Sequence, residues 1–265
     1  MTEWGSYGRF LSIALLIISS LLSATALGQT ECSANGAAID TNQPKDITPQ
    51  QIIEKLDAQE TRVKDAISHD TYTQDVKVQT LNGTTVSGQF HEVTSISYDD
   101  KGKRVEKVTY AEQSTLQGVQ LSTEDMDDIR YFMPLILSHE ELAEYNLTYA
   151  GQQHVDDLDT YIFHVVPKRE EKNKRYFEGR IWVDNRDLQL VKLCGKSVPD
   201  VARKKNQPQE IRPTFVGYRI YMNGLWFPAY ASVDDSLTFR TESVHIREIV
   251  KFTNYKQAST ATAAR

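Results

Sequence analysis

The stretch YIFHVVPKREEKNKRYFEGRIWVDNRDLQLVKL, residues 161–193, decides the fold. It begins three apolar runs, 161–167, 176–184 and 188–196, parted by the polar segments KREEKNK and DNRD. Runs rich in Ile, Val, Phe, Tyr and Trp between polar turns read as strands. Turns this short join antiparallel neighbours, because a parallel pair needs a long crossover. The rhythm continues through 213–222, 225–233 and 237–252, with Asn223-Gly224 and Asp234-Asp235 as turns.

Working back toward the N-terminus, the same period returns. Tyr72, Val76 and Val78 share one face of a strand that reaches Asn82-Gly83, a strong hairpin signal. After the turn, Val86, Gly88, Phe90, Ile96 and Tyr98 share a dry face, while Thr85, Ser87, Gln89, His91, Ser95 and Ser97 share a wet one. Asp99 to Lys103 turns the chain into a further strand over 104–111. The sum is an up-and-down antiparallel meander of about ten strands, a number at which accumulated twist curls an open sheet toward a barrel.

Two helical groups are available to cover the open concave face. Thr48-Pro49-Gln50-Gln51 supplies an N-cap, a proline at the first helical position and a capping box. Ile52, Leu56, Val63 and Ile67 then recur at helical spacing over 49–68, with Glu54, Lys55, Glu60 and Lys64 on the remaining surface. The second group, 122–145, interrupts the sheet. Ser122 caps a helix carrying Met126, Ile129, Phe132, Met133 and Ile136, Pro134 disturbs it, and Ser138-His139-Glu140-Glu141 starts another.

The N-terminus sets the compartment. Arg9, the uncharged run Phe10 to Leu22 and the small residues Ser23-Ala24-Thr25-Ala26 follow the order of a secretory signal peptide, so residues 1–26 are expected to be removed. An uncleaved anchor is the competing reading, but the apolar run is shorter than the roughly 20 residues a membrane helix needs. Glu31 directly before Cys32 argues against lipid attachment there. In an oxidising compartment Cys32 and Cys194 can form a disulfide; two free thiols are the alternative. Residues 27–47 read as a flexible arm, 48–255 as one domain and 256–265 as a disordered tail.

The chain's 265 residues carry 30 Lys+Arg against 36 Asp+Glu, a formal net charge of −6, with 40% hydrophobic residues. Collagen-like, wholly disordered and disulfide-framework classes are excluded by this balance. Without a basic stripe there is no electrostatic footprint for nucleic acid. No G-x-S-x-G or G-x-G-x-x-G occurs, Gly195-Lys196-Ser197 lacks the rest of a phosphate loop, and the histidines show no metal-ligand spacing. Asp156, Asp157 and Asp159 lack the glycine and closing Glu of a calcium loop. The reading is therefore a non-enzyme without metal or cofactor. Two carboxylates stand out: Glu92 and Glu248 share parity with apolar neighbours, so an unbroken strand would bury them and a β-bulge would turn them out. The longest connection, 197–212, is locally basic and is either a solvated loop or a docking element.

The pair YIFHVVPKR and GRIWVDNRDLQLVKL, with the later YRIYMNGLWFPAY, resembles the outer-membrane lipoprotein-sorting proteins of the LolA/LolB-like superfamily. The resemblance in element order spans residues 48–255. It implies a mainly β fold with α-helices, an incomplete antiparallel β-barrel with a helical lid, exported to the periplasm and binding the acyl chains of a lipid or lipoprotein for transfer toward the outer membrane. It assigns the cavity wall to Val86, Phe90, Ile96, Phe163, Ile181, Leu190, Phe215 and Phe227, and the lid to Met126, Ile129, Phe132 and Met133. The competing readings are an envelope sensor that contacts a membrane protein through 197–212, and a lipid hydrolase using Glu92 or Glu248.

Overall fold

A computed structural model describes residue 32 and residues 38–171, 174–199, 212–238 and 243–257. The expected signal segment, most of the 197–212 connection and the tail beyond Gln257 lie outside the described residues. Helix α1 (Pro49–Ile67) starts with the expected capping box: Thr48 Oγ1 accepts from the Gln51 amide and Gln51 Oε1 accepts from the Thr48 amide. Strands β1 (Asp70–Asn82), β2 (Thr85–Tyr98) and β3 (Arg104–Ala111) follow. Then come α2 (Thr123–Asp127), a π-helical turn (Asp128–Phe132) and the short α3 (His139–Leu142). The chain closes with β4 (Tyr145–Val155), β5 (Leu158–Pro167), β6 (Tyr176–Asp184), β7 (Leu190–Val198), β8 (Phe215–Met222), β9 (Leu225–Thr238) and β10 (Ser243–Gln257).

The ten strands of the described residues form one antiparallel sheet in the order β3-β2-β1-β10-β9-β8-β7-β6-β5-β4. It is an unclosed, curled sheet with helical cover, as expected. The order differs from a plain meander at one place. The first strand pairs with the last, from Asp70↔Gln257 to Leu81↔His245, and β3 and β4 become the edges. Residues 112–144 leave one edge and enter the other, so topology alone carries the lid across the open side.

The two Asn-Gly turns differ. Asn223 and Gly224 both have positive φ (52° and 84°) and are the central pair of a two-residue hairpin loop, Met222 pairing with Leu225. In the first hairpin Asn82 still pairs with Thr85, so Gly83 (φ 61°) comes first in the loop and Thr84 second. The expected turn at Asp234-Asp235 is absent, for β9 runs through it to Thr238. Asp234 instead faces β10, where His245 and Arg247 contact its carboxylate.

The core has two sides. The concave side holds the large cluster, including Phe163, Phe177, Ile181, Leu190, Ile246 and the α1 stripe; the convex side holds Val155, Ile162, Trp182, Val191, Cys194 and Val216. On the convex side Cys32 and Cys194 are joined by a disulfide (Cα–Cα 5.4 Å). Residues of the N-terminal arm lie against the β4 edge, Asp40 exchanging backbone hydrogen bonds with Gln152.

Gly88 faces the concave side where 112–118 crosses it. A Cβ there would stand 2.1 Å from the Thr115 carbonyl oxygen. Gly88→Ala is expected to lift this crossing segment, costing about 1–3 kcal/mol in urea unfolding and speeding exchange of the Thr115 amide, which donates to the Gln89 carbonyl.

Candidate functional site

The site begins with a glutamate in an apolar stripe. Glu60 is completely buried, aligned with Ile52, Leu56, Val63 and Ile67, and so does not belong to the polar surface of α1 as its composition suggested. A carboxylate in a dry core requires a partner. Arg219 reaches it from the concave side of β8, Nη1 to Oε1 at 2.7 Å and Nη2 to Oε2 at 2.8 Å. The pair has donors and acceptors to spare. The Leu137 amide donates to Glu60 Oε2 (3.0 Å), Arg219 Nη2 donates to the Leu135 carbonyl (2.8 Å), and Nη1 to the Trp226 carbonyl (3.2 Å). One ion pair thereby joins helix, sheet and the backbone of the covering segment.

The π-helical turn is tied down around it. Its Met133 amide donates to the Asp128 carbonyl, and the carbonyls of Ile129 and Arg130 accept from Gln74, a buried side chain of β1. Arg130 Nη2 donates to Glu92 on β2 at 2.6 Å, Tyr131 donates to Glu106 on β3, and Arg175 meets Asp128 at 2.9 Å. Arg104 lies 4.5 Å from the centre of the Tyr131 ring and also contacts Glu106. Glu92 is therefore buried on the regular stretch of β2, on the inward parity of Phe90 and Ile96, and paired with the lid.

Beneath this cover lies a cavity of about 450 Å³ at the end of the sheet where β1, β3 and β4 begin and β2 and β10 end. Its wall is mostly aromatic and aliphatic: Ile67, Tyr72, Tyr98, Phe132, Pro134, Leu135, Ile136, Tyr145, Pro228, Phe252 and Tyr255. Its charged wall residues are Lys64, Arg104, Arg130, Lys174, Arg175, Glu140, Glu141 and Glu144. Several are paired with one another: Lys64 contacts Glu140 (2.9 Å) and Glu141 (3.0 Å), and Lys174 contacts Glu144. Burial, and then the neighbouring Tyr72, push the Tyr98 phenol up from its ordinary value. A volume within roughly 300–1,000 Å³, apolar walls and a few convergent polar groups are what small-ligand sites share.

Of the side chains assigned from the sequence, Phe132 alone lines this cavity. Ile96, Phe163, Ile181, Leu190, Phe215 and Phe227 are buried in the concave core, and Phe90 packs half-buried beside them. Val86 is 42% exposed. A β-bulge explains it: Thr80 pairs with Gly88 but Leu81 with Val86, so the intervening Ser87 reverses the parity of the strand and sends Val86 to the convex side. In the lid, Ile129 and Met133 are buried and Met126 packs partly buried against the same cluster. Glu248 is buried on β10, away from the large cavity, in a smaller void with Asp125, Asp128, Phe132 and Ser197. Among the described residues no group of three or more His, Cys, Asp or Glu is placed to hold a metal ion, and no helix is long and apolar enough to cross a membrane.

No family model matches the chain, and no curated protein matches its sequence. The structure is similar to that of a DUF1329 family protein from Desulfovibrio piger, at 14% identity over 80% of this chain and 95% of that one, with a TM-score of 0.41. It is similar to a LolA superfamily protein from Nitrosomonas europaea (13% identity, 79% and 93% covered, TM-score 0.35). A third likeness is to a domain described as an outer-membrane lipoprotein-sorting protein from Vibrio parahaemolyticus (12% identity, 78% and 92% covered, TM-score 0.40). Each likeness is low in identity and partial in superposition, and the functional reading rests on the cavity itself.

The Glu60–Arg219 pair makes a quantitative prediction. Glu60→Ala leaves a buried guanidinium without its counter-charge and is expected to cost about 3–5 kcal/mol. Glu60→Leu combined with Arg219→Met should cost less than either single change. Urea unfolding of the wild type and the four variants measures this.

Proposed function

We propose that this protein is an exported carrier that shields the acyl chain of a lipid or lipoprotein in the cavity beneath its lid, for transfer across the periplasm toward the outer membrane. The observation that carries this reading is the 450 Å³ aromatic and aliphatic cavity, whose lid is tied to the sheet through ion pairs and backbone hydrogen bonds. Moving an acyl chain through water requires its apolar area to be covered, at about 0.8 kcal/mol for each buried methylene. The cavity wall offers that cover, and the paired charges around it can keep contact with a polar head. The N-terminal signal-like segment and the Cys32–Cys194 disulfide support an oxidising compartment. Glu92 is occupied by Arg130, and Glu248 does not line the large cavity; neither arrangement favours the hydrolase reading.

Displacement of an acyl fluorophore tests the proposal. The wild-type protein should bind it, and Ile136→Trp, which fills the cavity from the lid, should weaken binding by about 10- to 100-fold, the equivalent of two to three lost methylenes. Phe132→Ala, which enlarges the cavity toward the smaller void, should shift preference to longer chains. Absence of uptake by the folded wild-type protein would sink the carrier reading.

A further inference from the structure

A second, smaller void of about 20 Å³ lies under the lid, between the α2 and π-helical segment and the floor of the sheet. Asp125, Asp128 and Glu248 line it together with Ser197 and Arg212. Glu248 is only 2% exposed, and among the described residues its Oε2 has no hydrogen-bond partner. The groups facing Glu248 come from every element packed on it. On β1 the residue opposite is Val78, and on β9 it is Val233, with Asp235 two residues further along the strand. Its own strand offers Ile246 and Val250 on the same face, and β8 offers Phe215. The lid presents Asp125 and Asp128, and β7 ends with Ser197 beside the void. Arg175 pairs with Asp128, and Arg212 lines the wall. Among the described residues the void and its Arg175 contact thus gather three carboxylates and two guanidiniums, a set that one proton brings to neutrality.

We propose that a proton on Glu248 clasps the lid to the sheet: the carboxylic acid sits neutral beneath Asp125 and Asp128, and its loss drives residues 123–133 off β10 and opens the interior. The contact is between a strand of the floor and the segment that topology carries across the opening, so repulsion there acts on the lid before any other element. Burial first, then the charges of Asp125 and Asp128, push the Glu248 carboxyl up to about 8, from an ordinary 4.5. Burial likewise pushes Asp128 up to about 6, while Arg175, Ser197 and Arg212 pull the other way. Because the closed state keeps a proton that the open, solvated carboxyl releases, closure is strongest below the ordinary value. It weakens as pH rises between the two and is lost above the higher one. This device governs access to the cavity of the carrier reading, but it can be tested without any lipid.

Hydrogen exchange of the full-length, lipid-free protein, corrected for the intrinsic pH dependence, reads the clasp at the Met126 and Met133 amides, which donate to Ser122 and Asp128. Protection there should fall from pH 5 to pH 8 by up to about tenfold per pH unit, while amides within α1 hold theirs. In Glu248→Gln, which is neutral at every pH, the lid's protection should be flat above about pH 6, where only the raised Glu248 carboxyl would still titrate, leaving below it the smaller fall due to Asp128. Flat protection in the wild type, or the same fall in the Gln variant, overturns the proposal. If Glu248→Gln does not fold, carboxyl-carbon NMR of the wild type decides: a Glu248 carboxyl that titrates in the ordinary range overturns it, and one that titrates well above that range supports it. Failure to bind an acyl fluorophore would leave these results unchanged and would count against the carrier reading alone.

Discussion

One buried ion pair holds the architecture to a single arrangement. Glu60 and Arg219 come from positions far apart in sequence, and each would be prohibitively placed without the other, because an isolated charge in a dry core is costly. Part of their spare hydrogen-bonding capacity is taken up by Leu135 and Leu137, so the covering segment is fixed by backbone groups rather than by apolar contact alone. Apolar side chains could slide past one another with little loss. A bidentate guanidinium–carboxylate pair with three peptide groups attached has one geometry.

Topology decides what that arrangement encloses. Pairing of β1 with β10 moves the opening of the sheet to the gap between β3 and β4, and the chain that joins those edges has to cross it. The crossing begins where Thr115 lies on Gly88 and continues through the π-helical turn, whose freed carbonyls find Gln74. Phe132 lies between the large cavity and the void around Glu248 and packs against Phe177 and Phe215. A lid anchored by Glu60 and Arg219 at one end and resting on Glu248 at the other can loosen at the second end while the first stays fixed.

The period-two runs, the capping box and the two helical groups made the curled antiparallel sheet legible in the sequence, because alternation and capping are local. The β1–β10 pairing was not, since no local signal distinguishes a terminal strand that ends the sheet from one that joins its beginning. Val86 was misplaced because a one-residue bulge at Ser87 leaves no mark in the pattern of apolar residues. The place of the cavity was not legible for a related reason: parity tells which side chains face inward, but not where packed core gives way to open space. Glu60 and Arg219 were readable in principle. Glu60 interrupts the apolar stripe at helical spacing, and Arg219 follows Phe215 and Gly217 on the inward parity of its strand; a charge of each sign on two facing apolar surfaces implies that they meet.

The proposed carrier function puts an acyl chain at the lidded end of the sheet and not on its convex apolar face. Paramagnetic broadening by a fatty acid spin-labelled near its chain end measures this directly. Loss of signal is expected at Tyr72, Phe132, Phe252 and Tyr255, with Trp182 and Trp226 unaffected. Broadening centred on Trp182 and Trp226, with the cavity residues untouched, would contradict it.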